Sequence, residues 1–308
     1  MNFDHESIVP PNPVFFGPIQ WYAIFIVIGI TLAVLAAIRE GKNRGISSEL
    51  LLDLVLVGVP LSILGTRLWF VIFNDLLWYL QNPIRILAFR DGGLAIHGGI
   101  ITAGLYAWWA LKRKKIPILP ILDLVAVGFF IGQIVGRFGN FMNQEAHGPI
   151  INAPTLDAQR EFLTSLFIPE FIINGMFIRG NYYHPTFLYE AIWNFAGLLI
   201  AVFILRRISK VLIGEIAAFY AIWYSFGRIF IESLRTDSLM IGPLKVAQVI
   251  SVVAIATVAI LVIYRRKNEK EMIPYTSFNL EEWQCQQKKQ GKPRKKPQPQ
   301  NKNRKKKQ

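Results

Sequence analysis

The sequence predicts an all-α integral membrane protein: a bundle of seven transmembrane helices with a small extracytoplasmic cap and a disordered cytoplasmic C-terminal tail. Three observations carry that prediction. Hydrophobic residues make up 53% of the chain and charged ones only 18%, against about 25% charged in soluble domains, and mean hydropathy is +0.36. Apolar stretches of about 20 residues, enough to cross a hydrocarbon core of roughly 30 Å, recur along the chain. The net charge of +14 belongs to the tail, because residues 265–308 hold 15 Lys+Arg and 4 Asp+Glu, whereas residues 1–264 hold 19 and 16. A basic tail on a nearly neutral, apolar body points to the lipid bilayer as partner and not to nucleic acid.

Spans are expected at 19–38, 50–72, 94–111, 119–141, 186–205, 212–231 and 244–264. The first is read as retained, since residues 1–18 carry no Lys or Arg and no small-x-small cleavage pattern. With the N-terminus outside, segments 39–49, 112–115, 206–211 and 265–308 face the cytoplasm with 3, 4, 3 and 15 basic residues. The outer segments 1–18, 73–93, 142–185 and 232–243 then hold 0, 2, 2 and 1, which obeys the positive-inside rule. Trp21, Tyr22, Trp223 and Tyr224 fall at predicted outer ends and Trp108, Trp109 and Tyr264 at inner ends, as interfacial aromatic belts do. Residues 144–185 are too long for a simple turn and hold apolar clusters such as Phe167–Ile173, so a folded cap is expected within a membrane domain of residues 1–264. The tail, residues 265–308, is too polar to bury a core, and deletion of 268–308 is expected to leave catalysis intact. The single cysteine, Cys285, excludes a disulfide scaffold and a cysteine-ligated metal.

Charged residues inside spans are costly, so their placement carries information. Arg67 lies 18 residues beyond Glu49, Arg137 lies 16 beyond Ile121 and Arg228 lies 18 beyond Lys210, which sets all three roughly 24–27 Å from the inner end of their spans. His97 reaches a similar depth from the other direction, Tyr22 opens the first span on that side, and His184 and Glu190 flank the outer start of the fifth. These groups therefore share the level of the outer-leaflet phosphates. Arg67 has a simpler reading, snorkelling to the head groups. Arg228, Glu232 and Arg235 follow at i, i+4 and i+7, one helix face that Tyr224 extends inward. Arg137, Asn140 and Asn143 line another stripe. Gly98 and Gly99, like Gly136 and Gly139, permit close approach of a backbone or ligand. Guanidinium groups match phosphate oxygens bidentately and stay charged when buried, so the pattern points to a lipid phosphate. No acidic cluster suits a hard cation, and four histidines with none at i, i+4 give no zinc motif.

The run Gly136–Gly148 reads Gly-Arg-Phe-Gly-Asn-Phe-Met-Asn-Gln-Glu-Ala-His-Gly and resembles the signature of the prolipoprotein diacylglyceryl transferases at every fixed position. The resemblance extends through Trp21-Tyr22, Gly65-x-Arg67, His97-Gly98-Gly99, His184-Pro185-Thr186-x-x-Tyr189-Glu190, and Tyr224-x-x-x-Arg228 with Glu232 and Arg235, covering residues 14–264. It implies a multi-pass enzyme of the bacterial plasma (inner) membrane, without a cofactor, that begins lipoprotein maturation at the outer leaflet. The reaction would move the diacylglyceryl group of phosphatidylglycerol onto the lipobox cysteine of a prolipoprotein, forming a thioether and releasing glycerol 1-phosphate. On that reading His97, Arg137 and Arg228 are catalytic, the arginines holding phosphate and His97 activating the thiol. Arg137, Asn140, Asn143, Tyr22 and Tyr224 bind phosphatidylglycerol, while Glu145, Glu232, Arg235 and His184 support them. Trp223 is expected to be a belt residue, and Asp123 to face water or pair with a loop arginine.

Overall fold

The computed structural model describes residues 4–5, 8–89, 92–235, 238–269 and 272–290. A short hairpin of β1 (Val14–Phe16) and β2 (Ile19–Gln20) leads into α1 (Trp21–Asn43), followed by α2 (Ser48–Gln81), α3 (Ile96–Arg113) and α4 (Ile118–Met142). The segment after α4 holds α5 (Leu156–Ser165), α6 (Glu170–Gly175) and a hairpin of β3 (Phe177–Ile178) and β4 (Asn181–Tyr182). Next come α7 (Thr186–Leu199), prolonged by a π turn and a 3-10 turn to Arg207, and α8 (Glu215–Leu234). The hairpin of β5 (Met240–Ile241) and β6 (Leu244–Lys245) precedes α9 (Val246–Asn268), and α10 (Leu280–Gln290) ends the described chain. Each expected span coincides with one long helix. Among the described residues five are long and apolar enough to cross a membrane: α1, α2, α4, α7 with its extension, and α9. The protein is an all-α, multi-pass membrane protein.

Small residues decide which helices touch. In lipid there is no hydrophobic drive between helices, so close backbone approach matters more. Gly128, Gly132 and Gly136 are spaced four apart on α4, and a methyl group placed on Gly29 of α1 would stand 3.4 Å from the Gly132 Cα. A second seam joins α2 and α3, where a methyl group on Gly65 would meet the Gly98 carbonyl at 2.7 Å and one on Gly99 would meet Ser62 Oγ at 2.7 Å. The glycines after His97 thus serve a neighbouring backbone. From this packing α3 lies on α2, α1 packs closely on α4, α4 meets α7 and α8, and α9 closes against α8.

At 34 residues α2 exceeds one straight span; it kinks at Asp75 (φ −156°, ψ 78°). There the Asp75 carboxylate accepts the Trp78 N–H at 3.1 Å and caps the helix that resumes. Residues 144–185 fold over the ends of α4 and α7 on a core of Phe141, Leu163, Ile172, Tyr182 and Phe187.

The expectation of disorder throughout 265–308 is corrected. The Tyr275 N–H donates to the Val211 carbonyl at 2.7 Å, the Ile213 N–H to Ile273 at 3.1 Å and the Leu280 N–H to Arg44 at 2.8 Å. Phe278 and Leu280 are buried in one cluster with Ile46, Leu50, Leu111 and Ile121. A few apolar residues between Ile273 and Trp283, diluted by polar neighbours, suffice to dock the segment. The basic run 291–308 lies outside the described residues. Beside this dock Glu40 is buried yet satisfied, accepting from Arg44 at 3.0 Å and Tyr275 Oη at 2.8 Å and pairing with Arg206. Asp123 does not face water: it accepts the Gly214 N–H at 2.6 Å and the Ala217 N–H at 2.9 Å, satisfying the orphan donors at the start of α8.

Candidate active site

The last two turns of α4 carry Arg137 and Asn140, three apart and hence on one side. An Arg137 Nη1–H donates to Asn140 Oδ1 at 3.3 Å, and Asn140 and Asn143 both donate to Glu145 Oε1, at 3.0 and 3.3 Å. Glu145 therefore reaches Arg137 through Asn140 and not directly. Gln144 and Ala146, flanking it, take positive φ of 50° and 54°. Those two left-handed residues turn the chain sharply at the signature's end. Gly148 then packs under His184, with its N–H donated to the His184 carbonyl at 2.9 Å.

Arg228 on α8 pairs with Glu232 one turn on, at 2.6 Å, and with Glu190 of α7 at 3.2 Å. Glu190 also forms an ion pair with Arg137. One carboxylate, 5% exposed, thus bridges two guanidinium groups from different helices. Burying a charge demands such pairing. Glu190 lies in the His184–Glu190 motif yet outside the expected site residues; a carboxylate inside a span opposite two arginines is the sequence signal that marks it. Each guanidinium carries five donors in a planar fork. With the carboxylates holding only part of each fork, the pair can grip an anion with several oxygens.

The remaining expected residues divide. Tyr22 lies against α4, its ring facing Gly139, so that only a glycine fits there. Tyr224 stacks on Tyr220 with centroids 6.0 Å apart, one turn beneath Arg228. Arg235 does not share the helix face of Arg228: α8 ends at Leu234, and Arg235 is extended at φ −82°, ψ 139°. Lys245 holds that end instead, donating to the Glu232 and Arg235 carbonyls at 2.6 and 2.9 Å. His184 has its Nδ1 3.3 Å from Tyr189 Oη and its ring edge-on to Phe162. Burial pushes its imidazole below the usual 6.5. His97 is exposed in the first turn of α3 and joins the arginine cluster through no hydrogen bond among the described residues. Trp223 is no belt residue; it lies within α8, stacked on Trp193 of α7.

Arg67 does not snorkel. It is 3% exposed, and its guanidinium donates to the carbonyls of Arg85, Ile86, Gly92 and Gly93 at 2.6, 2.9, 2.7 and 3.1 Å. That side chain ties down both ends of the connection between α2 and α3.

The chain matches the family of prolipoprotein diacylglyceryl transferases over residues 13–264. It is 47% identical over 250 residues to the phosphatidylglycerol–prolipoprotein diacylglyceryl transferases of Bacillus cereus, Bacillus thuringiensis subsp. konkukian and Bacillus anthracis, a match covering 81% of this chain and 89% of each relative. The arginine-bearing signature on α4, and the α7 and α8 segments that meet it, all fall within the matched residues, and the chain belongs to the prolipoprotein diacylglyceryl transferase family.

Proposed function

We propose that this transferase works at the outer leaflet of the bacterial plasma membrane, with Arg137 and Arg228 gripping the phosphate of phosphatidylglycerol. The reaction moves the sn-1,2-diacylglyceryl group onto the lipobox cysteine of a prolipoprotein and opens lipoprotein maturation. The observation that carries the site is Glu190, which holds both arginines together across α4, α7 and α8. The cysteine sulfur attacks glycerol C3, the C3–O bond breaks, and its electron pair leaves on the phosphate oxygen of glycerol 1-phosphate. The thioether forms, and the thiol proton passes to the base. Two fixed guanidinium groups favour the charge that builds on the leaving phosphate. His97, exposed at the start of α3, is assigned to the incoming thiol, whose ordinary pKa of about 8.5 leaves little thiolate at neutral pH. Asn140, Asn143, Tyr22 and Tyr224 orient the head group, Glu145 and Glu232 hold the donors in place, and Arg235 and His184 support the rim.

The topology follows from the same reading. Helices α3 and α8, at 18 and 20 residues, are about 27–30 Å long and complete a seven-span bundle with the N-terminus outside. Their ionisable residues lower their apolarity. Residues 144–185 form an extracytoplasmic cap, and the basic residues beyond Tyr264 face the cytoplasm.

The test combines purified enzyme, phosphatidylglycerol and a lipobox peptide, with mass spectrometry of the peptide. Wild type adds a diacylglyceryl mass on cysteine, and Arg137→Ala does not. Arg137→Lys keeps the charge without the fork and is expected to lose about tenfold or more; near-normal turnover overturns the bidentate role.

A further inference from the structure

Beneath the Glu190–Arg228 pair, α7 and α8 are joined by a second and different contact. Trp193 and Trp223 lie face to face, with ring centroids 4.3 Å apart and planes 15° apart. Each indole N–H donates to the backbone carbonyl of the other tryptophan, both at 2.9 Å. The arrangement is reciprocal, and so is the space it needs. A side chain on Gly227 would overlap the Trp193 indole, and one on Gly197 would overlap that of Trp223. Each glycine lies four residues beyond a tryptophan of its own helix, Trp193 to Gly197 and Trp223 to Gly227. The carbonyls that receive the indoles therefore also serve those glycine amides in the helical ladder.

Such a contact does more than fill space. Two large aliphatic side chains would pack these helices equally well and would tolerate sliding. A hydrogen bond is directional and is lost beyond about 3.5 Å, whereas a one-residue slip moves a helix about 1.5 Å. Two bonds running in opposite directions therefore fix α7 against α8 along the axis. Glu190 lies three residues from Trp193, and Arg228 lies next to Gly227. Their 3.2 Å ion pair has the same tolerance as the indole bonds below it.

We propose that the Trp193–Trp223 pair is a register clasp, two positioning residues that set Glu190 opposite Arg228 and thereby hold the arginine pair at phosphate spacing. The proposal rests on the phosphate-site reading given above. It assigns to two tryptophans and two glycines a share in transition-state geometry, exerted through the register of Glu190 against Arg228.

The test is a double-mutant cycle on full-length enzyme in phosphatidylglycerol-containing nanodiscs, with kcat and KM measured for the lipobox peptide and for the lipid. Trp193→Phe keeps an aromatic ring but loses the N–H. It is expected to lower kcat about tenfold, with KM for the lipid within about twofold and the thermal unfolding midpoint little changed. Glu190→Gln is expected to lower kcat on its own, and Trp193→Phe is expected to add little in that background, because the register then has no carboxylate to place. Trp223→Phe removes the other bond and provides the same reading where Trp193→Phe does not yield folded protein. A full, additive loss in the Glu190→Gln background, or unchanged kcat in both phenylalanine variants, overturns the clasp while leaving the phosphate site standing. Wild-type turnover in Glu190→Gln and in Arg228→Lys overturns the phosphate reading itself, and the clasp with it.

Discussion

Glu190 bridges Arg137 and Arg228, while Arg67 gives its guanidinium wholly to backbone carbonyls. Depth arithmetic placed all three arginines at one level, and their level was all it could give. Which of them is available to a ligand depends on the connection between α2 and α3, whose carbonyls have no pattern in sequence. Arg67→Met is accordingly expected to destabilise the fold, since each buried carbonyl left unsatisfied costs about 1–3 kcal/mol. The check is the unfolding midpoint in detergent, and Arg67→Met with unchanged stability would contradict the tie. His184 supplies a pH dependence. Burial lowers its pKa from 6.5, so in the window between the lowered folded value and 6.5 the unfolded chain binds more protons. Stability then rises with pH through that window and falls as the pH drops below 6.5. His184→Gln is expected to flatten that part of the curve, as read from unfolding midpoints on the acid side of neutrality.

Each apolar stretch read from the sequence falls on a helix among the described residues, and five of those helices are long and apolar enough to cross a membrane. Whereas a methyl group on Gly136 would meet open space, close approach was legible at Gly98, Gly99 and Gly139. The kink of α2 at Asp75 and the early end of α8 before Arg235 were not, because both are set by local capping that an apolar pattern cannot register. The two glycine seams differ in tightness, and substitutions are expected to report it. A methyl group on Gly29 stands at ordinary contact, 3.4 Å from Gly132, so Gly29→Ala is expected to be close to neutral. One on Gly65 overlaps Thr102 and the Gly98 carbonyl. Gly65→Ala is therefore expected to cost about 1–3 kcal/mol and to shift the start of α3, with a lowered midpoint and reduced turnover as the readouts. Equal effects from the two substitutions would contradict the difference in packing.

Across the whole molecule, charge is sorted by end of the helix bundle and by job. The cluster at the C-terminal end of α4 keeps two arginines on shared carboxylates, whereas the opposite end of the bundle uses Glu40 and Asp123 to fasten helices and the 273–283 segment. Composition made the tail look featureless, since averaging over 265–308 hides Ile273, Tyr275, Phe278, Leu280 and Trp283. The earlier expectation for its removal is therefore divided in two. Truncation after Gln290 is expected to leave stability and turnover unchanged. Truncation after Glu269 uncovers Leu50, Leu111 and Ile121 and strips Glu40 of Tyr275, and is expected to lower the unfolding midpoint by several degrees. Identical midpoints for the two truncations would show that the dock contributes nothing. The Glu40–Tyr275 bond spans 235 positions of chain, and this has a consequence for biosynthesis. Helix α1 enters the bilayer early in translation, with a carboxylate whose last partner is made only when the ribosome has passed Tyr275. Until then Glu40 has Arg44 and Arg206 as its partners but not the Tyr275 hydroxyl. The seam between α1 and the 273–283 segment therefore closes only when nearly all of the membrane domain has been made.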